Sequence, residues 1–262
     1  MLQEPEDRDA PAPAPGRSAQ RMEADLRALI ATVREPHLQA LLDALLGPRT
    51  DSWTRFREAA AAKRYHQAYR HGLLEHTLTV AEGVSALAAT FPGIDRDVAV
   101  TGALLHDIGK LDAYTLPAEA SEPSGSADSA DSERPAIELT DDGRLQGEIV
   151  LGYHRVRGAI EQLDRFPPLL AQAILHIVLS HHGSLAHGSP VVPVTREATL
   201  VHMVDNLGGR LGSFDRLQRE LPDGEAWAPW DRVIGAGAWF PAPRAGEAPA
   251  QDGSGGDGSL AA

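Results

Sequence analysis

Gly102-Ala-Leu-Leu-His-Asp-Ile-Gly-Lys110 is the stretch on which the interpretation of this chain depends, because it places His106 and Asp107 side by side near the end of an apolar segment. An imidazole nitrogen and a carboxylate oxygen together suit a borderline divalent metal such as Mn, Fe, Co, Ni or Zn. A single His-Asp pair is a weak signal, since such neighbours arise often by chance. The prediction of a metal site therefore depends on whether further ligands surround the pair.

Further candidate ligands lie on both sides of the pair, in segments whose apolar residues follow the helical period. They are His76 in Gly72-Leu-Leu-Glu-His-Thr-Leu78, the pair His181 and His182 in Ser180-His-His-Gly183, and Asp205 in Val201-His-Met-Val-Asp-Asn-Leu207. The chain has no cysteine, which excludes disulfides and thiolate sites and leaves histidines and carboxylates as the available ligands. On one helix His176 faces away from His181, and no role is assigned to His37, His71, His154, His187 and His202.

The order of these elements, His then His-Asp then His-His then Asp, resembles that of the HD superfamily of metal-dependent phosphohydrolases. Within that superfamily, four stretches are similar to the YhaM-type 3′-5′ exoribonucleases: Ala61-Ala-Lys-Arg-Tyr-His66, Gly72-Leu-Leu-Glu-His-Thr-Leu78, Ser180-His-His-Gly183 and Gly188-Ser-Pro190. The similarity extends from about Trp53 to Leu211. The resemblance implies an all-α HD-domain bundle, a divalent cation, and hydrolysis of a phosphoester by water that the cation activates.

The resemblance also implies which residues hold the primary cation. The alternative is that they are unrelated helix-surface polar residues, or core histidines that donate to backbone carbonyls. Charged groups on apolar helices are buried only when they are paired or coordinated, which favours the metal. The predicted primary ligands are His76, His106, Asp107 and Asp205.

A second cation is left open by the sequence. In related dinuclear members further histidines lie between the His-Asp pair and the last Asp, and His181 and His182 match that position, with Asp107 as the bridge. The YhaM pattern has Gly-His-Ile where this chain reads Gly147-Glu-Ile149. Glu148 is therefore either a carboxylate ligand of a second cation, together with His181 or His182, or a solvated helix residue.

Two further residues are predicted to contact substrate. Lys110 lies one helical turn after His106, where its ammonium can neutralise a bound phosphate and assist Asp107 in catalysis; the alternative is a solvated lysine at a helix end. His66 follows Lys63 and Arg64 and is predicted to bind substrate, although the family pattern has a second histidine where this chain has Gln67.

Apolar periodicity predicts a mostly helical, single-core domain over residues 21–243. Predicted helices cover about 22–33, 38–46, 53–60, 73–87, 98–105, 149–163, 169–179 and 195–207. Residues 137–145, with an Asp-Gly turn, predict a small hairpin or loop, and three tryptophans after residue 226 predict an irregular patch. Residues 1–20 and 244–262 are predicted to be disordered tails, and about 117–135 an acidic mobile loop.

Charge and composition limit the classes of partner. The segments 1–20, 117–142 and 244–262 carry 4, 8 and 3 acids against 2, 1 and 1 bases, which accounts for −11 of the net charge of −13. The remaining body is near neutral and compatible with RNA, but it has no basic stripe for long nucleic acid. No apolar run resembles a signal peptide or a membrane span, so a cytoplasmic location is expected.

Three functions remain open at this stage. The favoured one is a metal-dependent phosphodiesterase with 3′-5′ exoribonuclease-like activity. No five-stranded pattern precedes Trp53, where YhaM-type proteins carry an RNA-holding OB-fold, and this favours short oligonucleotides or nucleotides as substrates. The alternatives are a nucleotide phosphohydrolase of the broader HD class and a non-catalytic nucleotide-binding module that lost a ligand at Glu148.

Overall fold

The computed structural model describes residues 17–62, 67–115 and 137–241, and these ranges form a mostly helical fold. The helices are α1 (Ala19–Ile30), α2 (Pro36–Leu46), α3 (Asp51–Glu58), α4 (Gly72–Ala88), α5 (Arg96–Leu105), α6 (Lys110–Ala113), α7 (Asp141–Leu145), α8 (Glu148–Gln162), α9 (Pro168–Ser180) and α10 (Arg196–Glu220). A 3-10 turn covers Leu185–His187, and two strands follow α10, β1 (Trp227–Asp231) and β2 (Ala236–Trp239). The predicted all-α bundle is confirmed. Within the described ranges, no helix has the length and apolarity needed to cross a membrane.

Short polar side chains begin several of these helices. Thr50 accepts a hydrogen bond from the backbone N–H of Trp53 at the start of α3. Asp95 begins α5 by accepting from the N–H groups of Asp97 and Val98, and the hydroxyl of Thr195 accepts from the N–H of Ala198 at the start of α10. Each cap satisfies donors that the first helical turn leaves free.

One hydrophobic core is shared by α1 to α6 and α8 to α10, and its fully buried side chains include Met22, Phe56 and Leu104. Helices α5 and α9 cross closely at Gly102, where an added Cβ would lie 2.4 Å from Cδ1 of Ile177. A larger residue there would have to displace the side chain of Ile177. Because of this close crossing, the carboxyl end of α5 lies beside the carboxyl end of α9.

Residues 137–145 form neither the hairpin nor the loop that the sequence predicts. Leu139 makes an isolated antiparallel bridge with Tyr114, and the Asp-Gly pair then lies inside the short helix α7. The hydroxyl of Thr140 accepts from the N–H of Gly143 at 2.9 Å, and this cap favours a helical turn over the hairpin turn that the same dipeptide allows. The predicted tails and the acidic loop lie largely or wholly in residues 1–16, 116–136 and 242–262, outside the described residues.

The chain divides into two compact units, one ending at Gly209 and the next beginning at Arg210. The second unit has a small core of its own in which Leu217 packs with Ala228 and Ala238, and β1 pairs with β2 in antiparallel fashion. The tryptophan segment is therefore an antiparallel strand pair with one bulge and not the predicted irregular patch. The extent predicted for a single domain, residues 21–243, stays a prediction.

Candidate metal centre

The predicted ligands converge because they lie at the ends of helices that meet. His106 and Asp107 directly follow α5, and His181 and His182 directly follow α9. Glu148 is the first residue of α8. This helix packs closely against the segment just after the His-Asp pair, where a Cβ on Gly109 would lie 2.4 Å from the backbone nitrogen of Gly152. His76 comes from the middle of α4 and Asp205 from α10.

Four side chains form a first ligand group, which consists of His76, His106, Asp107 and Asp205. The Nε2 atom of His76 lies 3.2 Å from Nε2 of His106, 3.2 Å from Oδ2 of Asp107 and 3.1 Å from Oδ1 of Asp205. Metal–ligand distances of about 2.1 Å place neighbouring ligand atoms about 3.0 to 3.4 Å apart around one cation. The separations among His76, His106 and Asp107 match that spacing, so these three fit a single divalent cation. Asp205 lies beside them, with its Oδ1 3.8 Å from Nε2 of His106.

A second group lies on the other side of Asp107. Its Oδ1 atom faces Nε2 of His181 at 3.5 Å, and among the described residues both atoms are buried without a hydrogen-bond partner. Beside them, Nε2 of His182 lies 3.4 Å from Oε1 of Glu148. Buried atoms of this kind require a partner, and a cation between lone pairs supplies one. Asp107 thus presents one carboxylate oxygen to each group.

Backbone carbonyls set which ring nitrogen of each histidine faces the centre. Three rings donate from Nδ1: His106 to the carbonyl of Ala103 at 2.7 Å, His181 to that of Val178 at 2.8 Å, and His182 to that of His187 at 2.9 Å. A neutral imidazole that donates from Nδ1 has its lone pair on Nε2, as a metal ligand requires. The three Nε2 atoms are therefore ready to coordinate.

The charges of the centre are strongly coupled to one another. Asp107 is 3% exposed, and the ammonium of Lys110 lies 2.7 Å from its Oδ2. Burial opposes ionisation of Asp107, but Lys110 and the nearby histidines outweigh it and hold its pKa well below the usual range. Burial likewise opposes a charged His76, yet hydrogen bonds and attraction from Asp107 and Asp205 raise its pKa to about 9. A proton therefore competes with a cation for His76 at neutral pH.

Glu148 is held from two sides. While its Oε1 faces His182, its Oε2 accepts a hydrogen bond from the hydroxyl of Tyr114 at 3.4 Å. Burial, followed by the negative charge of Glu148, raises the pKa of Tyr114 to about 12, so the phenol stays protonated and donates. Burial, together with repulsion from His181, lowers the pKa of His182 and keeps its ring neutral. Glu148 is thus a positioned carboxylate, unlike the solvated residue of the alternative interpretation.

The structure brings together the seven candidate ligands and, beside Asp107, the predicted substrate contact Lys110. The role of the seven as metal ligands stays a prediction. His66 lies outside the described residues. His176 accepts a hydrogen bond from the N–H of Val194 at 3.0 Å, which ties the 183–195 segment to α9. Three supporting groups were not predicted from the sequence. One is Tyr114, beside Glu148. The other two support the histidine pair: His202 donates to the carbonyl of His181 at 2.8 Å, and the carbonyl of His187 accepts from His182.

Comparison with known proteins finds relatives of this chain by sequence. The HD domain family matches residues 73–209. A protein named 3′-5′ exoribonuclease YhaM from Shouchella clausii (strain KSM-K16) is 30% identical over 198 residues, which are 75% of this chain and 55% of the relative. The protein of the same name from Bacillus subtilis (strain 168) is 30% identical over 172 residues, 65% of this chain and 48% of the relative.

This chain spans about half the length of these curated relatives. No solved structure gives a significant match. The family match covers the segment from α4 to α10, in which all seven candidate ligands lie. The resemblance seen in the sequence to HD-superfamily hydrolases is confirmed, and the chain belongs to the HD domain family.

Proposed function

We propose that this protein is a metal-dependent phosphodiesterase that removes nucleotides from the 3′ ends of RNA or short oligonucleotides. The observation that carries the proposal is the buried carboxylate of Asp107, which presents one oxygen to each of two groups of nitrogen and oxygen ligands. Two cations a few Å apart suit the displacement of a phosphate oxygen by water. The names of the relatives support RNA as the substrate.

The first ligand group would hold one divalent cation, and Asp107, His181, His182 and Glu148 would hold a second. Bound cations would supply Lewis-acid charge to a phosphoryl oxygen and acidify a water molecule. The absence of thiolates, with four histidines and three carboxylates, suits Mn, Fe, Co, Ni or Zn. We propose two cations because Glu148 is aligned with His182 by Tyr114.

Lys110 supplies a fixed positive charge at the centre. Its ammonium is nearly buried, and although burial opposes the charge, attraction from Asp107 and Glu148 raises its pKa. The group therefore stays protonated at neutral pH, and it can bind a non-bridging phosphate oxygen and stabilise the charge that develops there. Lys110 serves as an electrostatic group in this mechanism and not as a base.

A substrate panel with metal analysis tests the proposal. Purified protein with Mn²⁺ is given 5′-labelled single-stranded RNA, a dinucleotide and mononucleotides, and Asp107→Ala is compared with Asp164→Ala. Asp164 is the matched control because its side chain is 91% exposed and lies outside the centre. We expect stepwise release of nucleotides from the 3′ end, which Asp107→Ala abolishes and Asp164→Ala does not change.

The other outcomes separate the alternatives. Turnover of mononucleotides without cleavage of RNA would replace the proposal with a nucleotide phosphohydrolase. Bound metal or nucleotide without any turnover would replace it with a non-catalytic binding module.

A further inference from the structure

The second compact unit exposes three of the four tryptophans of the chain on one surface. The side chains of Trp227, Trp230 and Trp239 are 64%, 67% and 56% exposed, whereas Trp53 is 4% exposed in the main core. Fully buried aromatic side chains cover 150–250 Å² each, so the three rings together expose roughly 400 Å² of mostly apolar surface. An apolar patch of that size on a small unit commonly marks an interaction site.

A β-bulge places all three rings on the same face. Trp227 pairs with Trp239, and Trp230 pairs with Gly237, with one extra residue of β1 between the two pairs. Side chains alternate along a strand, so residues three apart would ordinarily point to opposite faces. The extra residue reverses the alternation, and Trp230 joins Trp227 and Trp239 on the outer face.

The tryptophans are not needed for the core of this unit. The inner face of the strand pair carries Ala228 and Ala238, which are 5% and 2% exposed and pack with Leu217. Phe214 and Phe240 complete that core with an edge-to-face contact at a centroid distance of 6.4 Å. The outer tryptophan face therefore adds large aromatic surface without contributing to the packing below it.

The strand pair and its turn contain few charged residues. Residues 227–241 contain one acid, Asp231, and its carboxylate is turned inward to accept from Arg216 and from the N–H groups of Val233 and Ile234. Arg232 is exposed at the turn, and Arg210 donates to the carbonyl of Val233 at the same turn. Exposed Asp223 and Glu225 precede β1, and residues 210–241 carry five acids against four bases in all, so the positive charge is confined to the turn where Arg210 and Arg232 lie.

We propose that the outer tryptophan face binds single-stranded RNA by stacking its bases on Trp227, Trp230 and Trp239, while Arg210 and Arg232 attract the phosphates. Every base has a π-face, so a row of exposed aromatic rings beside positive charge holds a single strand without selecting its sequence. The inference rests on the proposed function for RNA as the ligand. It assigns to this chain a second RNA contact, separate from the metal centre.

The test measures binding without cleavage. The full chain in EDTA is titrated with a fluorescein-labelled 12-nucleotide oligouridylate at fixed salt, and anisotropy gives the dissociation constant. Intrinsic fluorescence is followed in parallel, because three of the four tryptophans lie on the proposed face. Single Trp→Ala variants remove one ring each, Trp230→Phe keeps a stacking ring, and Phe91→Ala is the control, an exposed aromatic residue in the other unit.

We expect RNA to quench the tryptophan fluorescence and each Trp→Ala variant to weaken binding by about 5- to 150-fold, the range for loss of one base–aromatic stack. Trp230→Phe should bind within a few-fold of the wild type, and Phe91→Ala should not differ from it. Hydrolysis of the small diester bis(p-nitrophenyl) phosphate with Mn²⁺ should be unchanged in all variants. Thermal melting checks that each variant is folded.

Unchanged RNA affinity in all three Trp→Ala variants would overturn the inference. So would a shift from dimer to monomer in sedimentation without a change in RNA affinity, since the face would then bind a second copy. Failure of the proposed function is distinguishable: the wild type would bind RNA through the tryptophans but cleave neither RNA nor the small diester.

Discussion

Replacing Lys110 with methionine should destabilise the metal-free protein and make it more responsive to metal. Lys110 is the nearest counter-ion of the buried Asp107, at 2.7 Å, and the two side chains are 13% and 2% exposed. Removing one partner of a buried pair costs about 3–5 kcal/mol, because the other charge is left uncompensated. His76, with its pKa raised to about 9, stays charged at neutral pH and still faces Asp107, so the lower end of that range applies.

A loss of about 3 kcal/mol corresponds to a fall in melting temperature of about 6–12 °C for a chain of this size. The assay is thermal unfolding at pH 7 in EDTA and again with saturating Mn²⁺. The variant should gain more from the cation than the wild type does, because no ammonium competes for Asp107. Arg157→Met is the control, since Arg157 pairs with Glu161 on the exposed face of α8 and should melt like the wild type.

The reasoning would be refuted if Lys110→Met melted within 2 °C of the wild type in EDTA. It would also be refuted if Mn²⁺ left the difference between the two proteins unchanged. The first result would mean that Asp107 is already neutralised by its histidine neighbours. The second would mean that the cation does not bind at Asp107.

Three further perturbations test separate parts of the centre. Tyr114→Phe removes the donor to Glu148 and should weaken binding of the second cation by about 10- to 100-fold, the usual effect of losing a hydrogen bond to a ligand, as measured by metal titration calorimetry. The pKa of His76 rises from 6.5 to about 9 on folding, so charged His76 stabilises the metal-free protein fully below pH 6.5, and this stabilisation is lost as the pH rises to about 9. Denaturant titrations across this range should show a fall in the free energy of unfolding of at most about 3 kcal/mol, and a flat profile would contradict this. Gly102→Leu overpacks the crossing at Ile177 and should lower the free energy of unfolding by about 1–3 kcal/mol. Adding Ile177→Ala should restore part of this loss. Equal melting temperatures for Gly102→Leu and the wild type would disprove the close crossing.

The sequence predicted the helical architecture well because apolar periodicity and the N-terminal caps act locally. Helices α4, α5, α8 and α9 begin and end within a few residues of their predicted bounds. The hairpin or loop predicted at 137–145 is a short helix instead, because an Asp-Gly pair fits both a hairpin turn and the first turn of a helix, and the Thr140 cap favours the helix.

The candidate ligands were also recognisable, since their side-chain chemistry and order are visible in the sequence. The groups that hold these ligands in place were not recognisable in the sequence. The carbonyl of His187 holds His182 through the backbone, which has no sequence signature, and Tyr114 meets Glu148 from a position 34 residues away. The common face of the three tryptophans depends on one bulge residue, and strand register of this kind is set by pairing and not by the local pattern.

The number of cations per chain, measured by inductively coupled plasma mass spectrometry after dialysis against Mn²⁺, tests the central claim most directly. We expect about two per chain in the wild type, about one in Glu148→Ala and about two in Glu148→His. Asp107→Ala should bind almost none, because it loses an oxygen from both groups. Full metal content and wild-type turnover in Asp107→Ala would contradict the account.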